Sequence, residues 1–191
     1  MKTTYIAGLM CLSLVGCTTN IHPTQTENPP PAQKFSDFQC LELAKLAAGD
    51  KHVAEQKAAL VKIQENIDAS LQPELDKWNK KNCTSDTNNK TLLIEPTISN
   101  LKFVGAGKRV WVGALGGSSA VLMHVRFSDK ESGIVIATPE FYSKSSAMAG
   151  AYSFGVNDNA MLVRIAKVFS AYVVKNYQSA VGGSVKPINL N

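Results

Sequence analysis

Histidine is the scarcest chemistry-bearing residue here, with three in 191 positions: His22, His52 and His124. No His-Glu-x-x-His pairs two of them for zinc, and no Gly-x-Ser-x-Gly builds an esterase elbow. Ser99-Asn100-Leu101-Lys102 spells Ser-x-x-Lys, but the Ser-Asp-Asn and Lys-Thr-Gly that would make it an acyl-transfer site are missing. Gly105-Ala106-Gly107-Lys108 ends like a phosphate loop, yet Arg109 stands where Ser or Thr must bind magnesium. Carboxylates are sparse from Thr91 onward: Glu95, Asp129, Glu131, Glu140 and Asp158. Asp129 and Glu131 read as turn residues, which leaves Glu140, beside Phe141-Tyr142, as the carboxylate to watch. No apolar run approaches the ~20 residues of a membrane-spanning helix. These absences exclude the familiar catalytic sets and leave no cofactor or metal site to expect, so a non-catalytic protein is the expectation.

The chain does carry a marked N-terminus. Lys2 is followed by an apolar stretch from Tyr5 to Val15, and small residues precede Cys17. A charged start, a short hydrophobic region and a small-residue cut site read as a secretory signal over residues 1–16. Leu14-Val15-Gly16-Cys17 resembles the bacterial lipoprotein lipobox. That resemblance implies cleavage before Cys17, lipidation of its thiol, and a membrane partner through the lipid. Thr18 is not aspartate, and by resemblance to enterobacterial lipoproteins this implies sorting to the outer membrane, facing the periplasm.

Composition supports a folded domain: 45% of residues are hydrophobic and 18% charged. The formal charge is +5, and the excess lies in the C-terminal half. In an envelope setting that points to acidic partners or headgroups and not to nucleic acid. Of the four cysteines, Cys11 leaves with the signal and Cys17 takes the lipid. Cys40 and Cys83 remain as a candidate disulfide in an oxidising compartment.

Along the chain, residues 17–35 read as a lipidated cysteine and a flexible proline-rich tether. The ~16 residues from Thr18 to Gln33 could extend roughly 50 Å. Residues 36–82 read as a helical subregion. Ser36 and Gln39 fit a capping box, with Phe38, Leu41, Ala44 and Ala47 on one face. After Gly49, a second stripe runs from Val53 to Trp78. Pro73 suggests a break near Ser70-Leu71-Gln72. The break matters, because two straight helices hinged at Gly49 would hold Cys40 and Cys83 too far apart to bond. The bond is kept here and the helix broken.

Residues 91–183 read as an α+β domain and 184–191 as a tail. Leu92–Ile94 starts a strand that Pro96 should end or place at an edge, unless Ile98, Leu101 and Phe103 continue it after a kink. Ala120–Phe127 alternates cleanly and returns through Asp129–Gly133 as a hairpin. A long helix follows, with Met161 to Tyr177 as its apolar face. The fold class expected is a small antiparallel sheet with this helix packed on it, preceded by the helical subregion. The Gly113–Gly117, Asp129–Gly133, Gly150–Gly155 and Asp158–Tyr177 series loosely resembles an uncharacterised family of glycine-rich bacterial lipoproteins. More distantly it is similar to the small α+β domains of curli-type assembly lipoproteins. No functional residue carries over from either.

The expected function is docking to another envelope component. Trp111, Lys108 and Arg109 would form the contact, since Trp and Arg favour interface centres. The alternative is a module binding a small or anionic envelope ligand such as a lipid or glycan, lined by Arg109, His124 and Arg126. A pocket joining Glu140, His124 and a serine would instead favour an enzyme.

Overall fold

The computed structural model describes residues 21–84, 89–104, 118–145 and 156–187. Period-two alternation builds its centre. Strand β4 (Thr91–Lys102) pairs antiparallel with β5 (Ala120–Asp129), in register from Leu92↔Asp129 to Lys102↔Ala120. Leu92, Ile94, Ile98, Val121, Met123, Val125 and Phe127 all point to one face and are buried. The other side of β5 takes β6 (Val135–Ala137) at one end and β7 (Glu140–Lys144) at the other.

Residues 36–48 depart from the expected helix. Phe35–Asp37 is a single 3-10 turn, and Ser36 caps nothing. The chain then runs extended as β2 (Cys40–Leu43) and β3 (Ala47–Ala48), both parallel to β4. The helical spacing of Phe38 and Leu41 is real and both are buried, but strand pairing outweighs a short, weak helix. Gln39 instead accepts a hydrogen bond from the Lys90 N–H, across to the start of β4.

Pro96 neither ends the strand nor puts it at the edge of the sheet, and Ile98 and Leu101 continue it. The proline sits inside a continuous central strand, opposite Val125. Val125 donates its N–H to Pro139, away from β4, so Pro96 turns its own nitrogen toward β2 and β3. The parallel neighbour is interrupted there: Leu43 aligns with Ile94, Ala47 with Thr97, and nothing pairs with Pro96. The sheet leaves a gap where the proline has no donor to offer.

Helices cover the inner face. Asp50 accepts from Val53 N–H and caps the short α1 (Lys51–Ala54). Helix α2 (Lys57–Asn82) follows, burying Ile63, Ile67, Leu71, Leu75 and Trp78. It runs unbroken through Pro73, contrary to expectation. Pro73 and Ala69 both lie on the solvent side, so water can satisfy the orphaned Ala69 carbonyl. The C-terminal helix α3 (Val156–Gln178) packs against α2. Trp78 stacks on Tyr177 at 3.8 Å between centroids, and Ser70 and Ser170 share a hydrogen bond of 2.7 Å. As expected, the class is α+β with a long C-terminal helix on the sheet. The sheet is mixed, because β2 and β3 join in parallel.

The Cys40–Cys83 disulfide is formed, with 4.8 Å between α-carbons. The bond and a straight α2 coexist because Cys40 is in a strand, lying alongside the end of α2. Asn79 of α2 reinforces the contact by giving and taking a hydrogen bond with the backbone of Leu41.

Residues 21–33 are not a free tether. Glu27–Asn28 forms β1, paired with β8 (Gly183–Ser184), and Ala32 N–H bonds to Ile136 on the edge of β6. Ile21 is buried with Ala120, Leu122, Tyr142 and Val185 in a small second core on the outer face of the sheet. The tail is likewise packed as far as Val185, whose carbonyl accepts from Tyr142 N–H.

Candidate functional site

The helices leave the outer face of the sheet partly open. Across it runs one rung, Thr97 of β4, His124 of β5 and Glu140 of β7. Glu140 is only 2% exposed. Its Oε1 accepts from Thr24 Oγ1 at 3.0 Å and Gln25 N at 2.7 Å. Asn28 completes the lock by bonding both the N–H and the carbonyl of Glu140, as a neighbouring strand would. Glu140 thus ties the N-terminal segment to the sheet. Its Oε2 has no hydrogen bond and faces His124 Nε2 at 3.6 Å.

The other ring nitrogen, Nδ1, lies 2.9 Å from Ser99 Oγ. Ser99 sits at the β4 bulge and can give its proton to the Leu122 carbonyl. Which of Ser99 Oγ and His124 Nδ1 donates depends on the imidazole tautomer. A serine, His124 and Glu140 are thus brought together, as an enzyme would require. Ser99 Oγ is within hydrogen-bond distance of both the Leu122 carbonyl and the imidazole, so the serine is tied to the sheet as well as to His124.

Arg126 lies on the same face. Its guanidinium donates to Glu95 at 2.9 Å, Ser128 Oγ at 3.0 Å and the Gly133 carbonyl at 3.1 Å. Two of these bonds go to the β5–β6 hairpin and one to β4, and together they weaken it as an anion ligand. Asp129 accepts from the N–H groups of Glu131 and Ser132, as a turn residue should. The Ser132 backbone bond is the main cause holding its carboxyl below the usual range.

Lys108, Arg109 and Trp111 lie outside the described residues, as does Cys17. His124 and Arg126 share one face, two positions apart on β5, but no anion site joins them. The residues that sequence reasoning missed are Asn28, Thr24 and Gln25. No local signal marks them, because their partner is more than 100 residues away. Among the described residues, no group of three or more His, Cys, Asp or Glu could hold a metal, and no helix is long and apolar enough to cross a membrane.

No family model matches this chain, and no curated protein does. Among solved structures it is similar to a single-substitution variant of the PelC dodecamer from Paraburkholderia phytofirmans, at 13% identity and a TM-score of 0.40, over 75% of this chain and 93% of that one. It is also similar to the hypothetical protein CT253 from Chlamydia trachomatis, at 13% identity and a TM-score of 0.43, over 72% and 96%. At these values neither likeness bears on function.

Proposed function

We propose that the chain is a non-catalytic lipoprotein of the bacterial outer membrane, held through Cys17 with its domain in the periplasm, and that the open outer face of its sheet docks another envelope protein. The observation that carries this is the polar patch of exposed His124 and Arg126 with half-exposed Glu95 and Ser99 on the outer face, opposite a face covered by α2 and α3. Its side chains are prearranged by one another, which lowers the ordering cost of docking. Binding of a small anion is the weaker reading, because Arg126 is already paired with Glu95 and bonded to Ser128 and Gly133. A photocrosslinking residue at Arg126 in the native cell should capture one dominant envelope protein. The same residue at Lys62, on exposed α2, should capture none. Equal capture at both sites, or none at either, overturns docking by this face.

A further inference from the structure

The position of Ile21 fixes how far the domain can stand from an anchor at Cys17. Four α-carbon steps of about 3.80 Å separate these residues, so at most roughly 15 Å lies between them. Ile21 is buried on the outer face, among Ala120, Leu122, Tyr142 and Val185. The lipid must therefore emerge at that end of the sheet.

Cations mark the same end. Lys102, Ala120 and Lys144 stand in register across β4, β5 and β7. Ala120 belongs to the outer cluster, so both lysines rise from that face. Lys186 lies over the Tyr142 ring, 5.9 Å from its centroid. Two carboxylates are near: Glu27, which shares a shallow groove with Lys186, and Glu140, buried about 13 Å further along the strand.

We propose that this end of the sheet rests on the anionic headgroups of the membrane that holds Cys17, with Lys144 and Lys186 facing lipid phosphate. The inference rests on the lipid-anchor reading and adds an orientation to it. The His124–Arg126 region, which begins about 13 Å along β5 from that end, lies within reach of a partner at the membrane surface.

The test is residue-by-residue acetylation of lysines in the acylated full chain, on nanodiscs with and without phosphatidylglycerol. On anionic lipid, Lys144 and Lys186 should react about fivefold more slowly than on neutral lipid, the factor expected for one lysine at such a surface. Lys62 and Lys77, exposed on α2, should not change. Equal rates on both lipids overturn headgroup contact, and so does equal slowing of all four. Lys144→Gln combined with Lys186→Gln should abolish the salt-sensitive part of binding to anionic vesicles. Acylation is read separately from the mass of the N-terminal peptide. A tag ahead of residue 17 on nickel-chelating lipid repeats the lysine comparison without natural acylation, so failure of the anchor and failure of the orientation give different results.

Discussion

Glu140 illustrates how much one buried carboxylate can organise. Its side chain accepts from residues 24 and 25, and its backbone is matched by Asn28. Glu140→Ala would leave the Gln25 N–H without its acceptor and is expected to cost about 1–3 kcal/mol. The loss should appear as faster hydrogen exchange at Gln25; unchanged exchange there would show that Glu140 does not hold the segment. Gly182 is just as constrained. Its φ is +71°, and a Cβ would lie 2.3 Å from the Asn28 carbonyl oxygen. Asn176 accepts from the N–H groups of Val181 and Gly182 and so shapes that turn. Gly182→Ala should therefore unzip β1 from β8, which loss of the Glu27–Ser184 cross-strand contacts in NMR would reveal. Tyr172 donates to the Pro29 carbonyl, and burial pushes its phenol up to about 12 from 10.0. A raised folded value means its contribution is complete below pH 10 and is lost as pH rises through about 12. Tyrosinate absorbance should show a late-titrating component in that window that Tyr172→Phe removes, coincident with loosening of the 29–33 segment.

At the scale of elements, the sequence marks two prolines as interruptions and neither is one. Proline stops a helix or strand only where its missing N–H goes unanswered. Pro73 orphans a carbonyl that water reaches, and Pro96 faces a gap between β2 and β3. Pro73→Ala should then stabilise α2, by up to about 3 kcal/mol, measured by denaturant unfolding. No gain would mean the proline is offset by something else in the helix. The disulfide acts between elements, joining β2 to the end of α2. It closes a separation of 43 residues, for which chain entropy gives ~4 kcal/mol. Cys40→Ala with Cys83→Ala should lower stability by about that amount while leaving the circular dichroism unchanged.

For the molecule as a whole, the N-terminal segment is part of the fold. A chain beginning at Lys34 loses the buried Ile21, β1 and the Asn28 lock, and should unfold with roughly 3 kcal/mol less stability than one beginning at Thr18. Equal melting of the two would restore the free tether. Packing of this segment also changes the proposed docking geometry: a free tether would let the domain reach roughly 50 Å from an anchor at Cys17, whereas the packed segment would hold it within roughly 15 Å.

Much of this architecture was legible from local pattern alone. The Asp129 turn follows from turn chemistry and the Cys40–Cys83 pair from a count of cysteines. The β5 alternation and the α2 and α3 stripes follow from spacing, because spacing decides which side chains share a face. Tertiary structure decided what lies opposite those faces. The 36–48 stretch became strand because β4 offered it a partner, and residues 21–33 folded because Glu140 and the Tyr142 cluster gave their backbone and Ile21 a place to bury. His124, Ser99 and Glu140 meet only through strand register. Contacts between residues so far apart leave no periodic trace in the chain, since their free energy exists only once the sheet between them has formed.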